Sequence, residues 1–256
     1  MNKQYQILLL TPTLCHGASR DIAEVRIPSI RGHLRKWHTI LWGEADTNYC
    51  WGSAGKPPVI SKVVLRTDAD LKTSPQNMLP HKKENVNSIG INANQCFTLQ
   101  VSYRNLPGGN EDDKIKKRIE ATIQIWLLLG TVGQRSTRAF GSVWSNDLAV
   151  STLDDFCKKV SDLFPATCSY AIQVLEPLEN KIELKYCTDT LDGYPDLFGA
   201  IKPSRQTSPL KMKYIKIGEK VFLLLHAKKH QIVNDAIKKL ENKPLGQKFK
   251  VIKRIN

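Results

Sequence analysis

No run of apolar residues in this 256-residue sequence approaches the ~20 needed to cross a bilayer. The stretch Ile7–Leu10 is too short for the apolar centre of a secretory signal, so a soluble, cytoplasmic chain is expected. CxxC pairs are also lacking: the six cysteines (15, 50, 96, 157, 168 and 187) come no closer than 11 residues. That spacing argues against a zinc ribbon or a thioredoxin-type motif and predicts free thiols in a reducing compartment. His33 and His38 are five apart and miss the i, i+4 geometry of a helical metal site, so neither metal nor cofactor is expected. There is no GKS or GKT, which excludes a P-loop. Acid is scarce as well. Against 38 Lys and Arg stand 24 Asp and Glu, a net charge of +14 that favours a polyanionic partner, nucleic acid before membrane.

What remains is an ordinary globular composition, 41% hydrophobic and 24% charged, long enough for one large domain or two small ones. Its charge is uneven. Residues 1–150 hold 19 basic and 12 acidic groups, including nine of the 11 arginines. Residues 151–209 are slightly acidic, and residues 210–256 carry 12 Lys and one Arg against three acids. Guanidinium forks suit planar phosphate contacts, whereas ammonium groups supply diffuse charge. Specific backbone contacts are therefore expected in the first half. The Lys-rich end is expected to form a general electrostatic surface or a solvated helix face.

Gln4–Leu10 reads as a strand ended by Thr-Pro-Thr. Residues 14–27 read as a loop. Pro28-Ser29 opens a helix to about Trp42, with Ile30, Leu34, Trp37 and Leu41 at helical spacing, Ser29 able to cap and Gly43 as a stop. Val59–Arg66 and Gln95–Arg104 alternate like strands around an inserted loop, 67–94. A helix with an acidic start spans Asp112–Leu129, followed by a Gly-rich segment and a strand over 142–150. The order strand, helix, strand, strand, helix, strand predicts an α+β, ferredoxin-like (βαββαβ, RRM-like) domain over 1–150. Residues 151–256, Lys-rich from 210, read as a second, degraded ferredoxin-like half. Its expected parts are a helix at 153–164, strands at 170–175 and 182–186, a loop at 187–209, a hairpin of 209–217 with 220–226, a helix at 231–241 and a strand at 249–252.

Two segments carry chemistry. In IPSIRGHLRKW (27–37), Arg31 and Arg35 are i, i+4 and share one face, with Lys36 beside them near a helix start, where free amides and the dipole favour anions. In GTVGQRSTRAFGSV (130–143), Gly130, Gly133 and Gly141 allow tight turns, and Arg135 and Arg138 bracket Ser136 and Thr137. Amides, hydroxyls and forked cations are what a sugar-phosphate chain needs, and Phe140 could stack on a base or seat the loop on the core. The loop runs from helix to strand, the reverse of a mononucleotide-binding turn, which favours an extended backbone as ligand.

Together these segments resemble the RAMP superfamily, the repeat-associated proteins of CRISPR systems. IPSIRGHLRKW is similar to that family's P-S-I-R-G-x-L-R-x-W segment, and GTVGQRSTRAFGSV to its glycine-rich loop. Weaker likenesses lie at TPTLCHGA (11–18), at Trp51-Gly52-Ser53 and at SPLKMKYIKIGEKVFLLL (208–225). Trp37 and the Thr-Pro start point, within the superfamily, to the branch that supplies the first subunit of the Cmr (type III-B) effector complex, here in a compact form. Ala139 departs from the pattern, standing where the family has glycine. The resemblance implies a ferredoxin-like RNA-recognition fold and a non-catalytic subunit. It implies CRISPR guide RNA and target RNA as partners, together with other RAMP subunits and no membrane. The RNA contacts would fall on Arg31, Arg35, Lys36 and the Gly130–Gly141 loop.

Two alternatives stand beside this. A RAMP endoribonuclease, guide-processing or target-cleaving, would use His16 near the first strand, or Asp68 and Asp70 in the inserted loop, as general acid or base. The mid-chain position of the Gly-rich loop argues against processing. A structural cap acting through protein contacts would use the five tryptophans (37, 42, 51, 126 and 144), whose ordinary role is core packing.

Overall fold

The computed structural model describes residues 2–19, 21–77, 87–175, 187–191, 193–199, 206–242 and 251–255. In chain order the first half runs β1 (Lys3–Leu9), α1 (Ile27–Trp51), β2 (Val63–Asp68), β3 (Thr73–Asn77), β4 (Asn87–Ile91), β5 (Gln95–Tyr103), α2 (Asn110–Leu129) and β6 (Val143–Trp144). A 3-10 turn (Asn146–Leu148) and α3 (Leu153–Leu163) follow. The second half runs β7 (Ala171–Leu175), α4 (Pro195–Phe198), β8 (Lys211–Ile217), β9 (Lys220–Ala227), α5 (His230–Glu241) and β10 (Val251–Ile255).

The first sheet has the order β2-β5-β1-β6, antiparallel throughout. Leaving out the β3–β4 ribbon, this is consistent with the ferredoxin-like order expected from the sequence. Alternation sets its buried face: Tyr5, Ile7 and Leu9 of β1 and Phe97, Leu99 and Val101 of β5 are buried together, paired as Tyr5↔Leu99 and Ile7↔Phe97. Ile30, Leu34, Trp37 and Leu41 of α1 join these strands in one core with the apolar residues of α2.

The second sheet, β10-β7-β9-β8, is also antiparallel and repeats the same connectivity. It is covered on both faces. Ile172, Val174, Ile215, Ile217, Phe222 and Leu224 join the core of the first half. Ala171, Leu175, Met212, Leu223 and Leu225 form a second core with Val233, Ala236, Ile237 and Leu240 of α5. This double burial explains why β9 reads as a nearly continuous apolar run, FLLL, instead of alternating.

Several expectations shift. Gly43 (φ 85°) kinks α1 instead of ending it, and the helix resumes to Trp51. Ser29 does not cap; the N-cap is Arg26, with no side-chain cap bond. The strand expected over 142–150 shortens to two residues because Ser145 Oγ accepts from the Asp147 amide and starts the 3-10 turn. The inserted segment 67–94 is not simply a loop. β3 and β4 pair within it, and Ile91 exchanges both backbone bonds with Thr13. The strand expected at 182–186 lies outside the described residues.

Candidate nucleic-acid interface

The two segments singled out by sequence meet. A cavity of about 260 Å³ opens between the first turns of α1 (Pro28, Ser29, Gly32, His33, Lys36, Trp37), the end of α2 with the Gly-rich loop (Leu129, Gly130, Thr131, Ser136, Thr137) and the second sheet (Lys211, His226). Ser29, Gly32, His33 and Lys36 follow one another at i+3 and i+4 spacing, so a single stripe of α1 faces the cavity. The first-turn amides of α1 have no side-chain cap, which leaves the positive end of the helix open toward this side.

Arg31 and Arg35 are not part of that stripe. They point about a third of a turn or more away and spend their donors on the chain itself. Arg31 Nη2 donates to Trp51 O (2.5 Å) and Ser61 Oγ (2.6 Å), with Nη1 near Val63 O (3.5 Å). Arg35 donates to Gly52 O and to Asn48 Oδ1 (3.0 Å). Both guanidiniums therefore tie the far end of α1 and the start of β2 back to the helix. Of the three basic residues expected on α1, the structure brings Lys36 to the loop.

Within the loop, Gly133 (φ 87°) and Gly141 (φ 64°) are required by the chain's own backbone. A Cβ at Gly133 would lie 2.6 Å from Leu14 O, and one at Gly141 would lie 1.9 Å from Val132 O. Gly130, which lines the cavity, packs against Trp126 in the same way. Arg138 reaches the second half: Nη2 donates to Phe198 O (3.3 Å), Nη1 to Ser208 Oγ (3.4 Å), and the guanidinium lies 3.4 Å from the Phe198 ring centroid. Phe140 is buried, which fits seating the loop on the core and leaves no face for a base. Arg135, half-buried, holds a left-handed backbone at φ 52°. Ala139 does the same at φ 62°, which is the physical reason a glycine suits that position.

Sequence reasoning missed Lys211 and His226. They are cross-strand partners on the face of the second sheet turned toward α1. Lys211 and Lys36 line the cavity from β8 and α1. Burial first, then Lys36 and Lys228, pushes Lys211 down to about 7. Burial, Lys36 and Lys211 push His33 down to about 4. His226, 1% exposed, accepts or donates one bond at Nδ1 to the Tyr170 hydroxyl (2.8 Å), and its Nε2 has no hydrogen-bond partner. No carboxylate lines the cavity among the described residues. The expectation that the Lys-rich end is only surface fails here. Lys211 is half-buried, and Lys213 is fully buried, donating to Leu127 O (2.5 Å) at the end of α2. The signal was available as strand parity, since 211 and 213 fall in step with the core residues Ile215 and Ile217.

The runner-up catalytic residues stay apart from this cavity. His16 Nε2 lies 2.6 Å from Ile89 O and fastens the β3–β4 ribbon. Asp68 and Asp70 are exposed at and beyond the end of β2, and no described bond joins either to His16. Among the described residues one cluster could hold a cation by composition: His38, Asp46 and Cys50, brought together across the Gly43 kink. Its bonds are already spent internally. Asp46 pairs with His38 Nε2 (2.7 Å) and with Arg118, His38 Nδ1 meets Thr122 Oγ1 (2.8 Å), and burial with Asp46 pushes the Cys50 thiol up to about 12. This network bolts the kink to α2. Of the five tryptophans, 37, 51, 126 and 144 are buried in the core, leaving Trp42 partly exposed.

No curated protein matches the chain by sequence. Its fold is similar to the crystal structure of Cmr1 from Pyrococcus furiosus in the apo form, with a TM-score of 0.63 and 19% identity over 91% of this chain and 92% of that one. It is also similar to a chain in the cryo-EM structure of the type III-B Cmr-beta complex bound to cognate target RNA, with a TM-score of 0.60 and 11% identity over 92% and 98% of the two chains. At these identities the likeness is one of fold, and the matched lengths show no compaction relative to either chain. No described helix is long and apolar enough to cross a membrane. The sequence profile of the RAMP superfamily matches residues 6–144, which include both α1 and the Gly-rich loop, and the chain belongs to that superfamily.

Proposed function

We propose that this chain is a non-catalytic RNA-holding subunit of a type III CRISPR effector ribonucleoprotein, in the cytoplasm, bound to guide RNA or guide–target duplex and to other RAMP subunits. The observation that carries the reading is the acid-free cavity in which the uncapped start of α1, the hydroxyls of Ser136 and Thr137, Lys36 and Lys211 converge. Such a set suits a phosphate of a polynucleotide backbone and reads no base. The resemblance in fold to a chain solved with target RNA supports RNA as the polymer. The nuclease alternative has no comparable support, because His16, Asp68 and Asp70 are not assembled into an acid–base set.

The test is salt-dependent binding of single-stranded RNA, followed by fluorescence anisotropy. Lys36→Ala is expected to weaken binding and flatten the slope of log K against log salt by about 0.7, the loss of one phosphate contact. Arg31→Ala is expected to leave that slope unchanged while lowering stability. Equal slopes for wild type and Lys36→Ala would reject the interface.

A further inference from the structure

The cavity contains more than a helix start and a pair of lysines. His226 is buried on the inner face of the second sheet, and its ring stacks on Trp37 with centroids 6.1 Å apart. Nδ1 is engaged by Tyr170, and Nε2 is the orphan atom of a residue that lines the cavity. A buried polar atom without a partner costs about 1–3 kcal/mol, so its persistence here calls for a ligand. The cationic surroundings say which kind. Lys36 and His33 face Lys211 from α1, His226 faces it from β9, Lys228 lies just past β9, and Lys213 shares its strand, with no acid among the cavity's described lining. Burial followed by these lysines holds His226 in its neutral form, well below the usual histidine range. In the tautomer in which the Tyr170 hydroxyl donates to Nδ1, the ring proton sits on Nε2, ready to donate.

We propose that the cavity is a socket for one phosphate group of a nucleic-acid strand, held by Lys36, Lys211 and the Nε2–H of His226. This rests on the RNA-holding function proposed above and deepens it. An anion between Lys36 and Lys211 makes a charge-assisted bond with each and favours the charged form of Lys211 against the burial that pushes it down. The volume of about 260 Å³ accommodates a phosphate with part of its sugar.

Sulfate is the probe of choice, a tetrahedral anion that does not titrate near neutrality. Calorimetry of sulfate binding to the full chain, in two buffers of different ionisation enthalpy, reads the protons taken up. Lys211 sits near 7 when the socket is empty, so uptake is expected to be close to one at pH 8.5 and near zero at pH 6. Affinity is expected to fall by up to tenfold per pH unit above about 7. Lys211→Met should abolish the uptake, and His226→Phe, which keeps the ring and removes Nε2, should weaken sulfate binding about tenfold.

No sulfate binding by wild type, or undiminished binding by both Lys211→Met and His226→Phe, overturns the socket. If RNA binds with the Lys36-dependent salt slope and His226→Phe binds sulfate as tightly as wild type, the socket falls and the RNA-holding function stands. If sulfate binds and RNA does not, the cavity remains an anion site, and both its assignment to a nucleic-acid strand and the RNA-holding function fall. Short RNAs with and without a 5′-phosphate separate the sources. Equal uptake by both assigns the socket to an internal phosphodiester, and uptake confined to the phosphorylated strand assigns it to an RNA end.

Discussion

Single residues change their meaning once the face of the element they stand on is known. Arg31 and Arg35 do share a face, as their spacing shows, but it is the face that holds the segment from Trp51 to Val63. Lys36, one residue on, is the cation that reaches the loop. The i, i+4 rule gives adjacency and is silent on what lies opposite, which depends on contacts distant in sequence. Lys213 makes the same point. Its ammonium would be fully buried, and burial alone holds it well below the usual lysine range. The folded state therefore binds this proton more weakly than the unfolded state, and the penalty shrinks as pH rises toward the unfolded value near 10.4. Stability of the wild type is expected to rise between pH 7 and pH 9 relative to Lys213→Met in urea titrations at each pH. The variant itself should be as stable or more so at pH 7, by about 1 kcal/mol or more. Parallel profiles for the two proteins would refute this.

Elements were legible where periodicity is strong. The helical stripe of Ile30, Leu34, Trp37 and Leu41 and the alternation of β5 both mark structure that is present. The β3–β4 ribbon was hidden because β3 is polar and buries little, and its pairing with β4 is specified by backbone bonds. Within the Gly-rich loop, the glycines signalled ligand approach on sequence alone, yet most of their space is taken by the chain. At Gly141 the left-handed φ and the approach of Val132 O leave no room for a side chain. Gly141→Ala is expected to cost about 3 kcal/mol or more, the sum of a strained backbone and a displaced carbonyl. Gly32 is the contrast, an exposed position inside α1 with no atom within 4 Å of the place a methyl group would take. Gly32→Ala should stabilise by up to about 1 kcal/mol in the same urea titration. If both variants shift the midpoint alike, the packing account of the loop is wrong.

At the scale of the whole molecule, sequence showed two βαββαβ-like runs but not how they share a core. The inner face of the second sheet joins the first-half cluster, with Trp37 centred 5.5 Å from Tyr170. That sharing depends on side chains far apart in sequence and leaves no local mark. A fragment ending at residue 150 would expose the α1 side of this core, including Trp37 and Leu127. It is expected to lack dispersed amide resonances in NMR and to bind a dye for exposed apolar surface, whereas the full chain does neither. A well-dispersed spectrum from the fragment would show that the first half closes its own core.

The register that pairs Lys211 with His226 also sets a schedule. As the chain is synthesised, α1 and the Gly-rich loop leave the ribosome some seventy residues before β8 and β9 can fold. Until then the cavity has a floor and one wall. A nascent chain thus carries both of the superfamily's signature segments before the lysine and histidine that line the same cavity, so the cavity is closed only once β8 and β9 have been made.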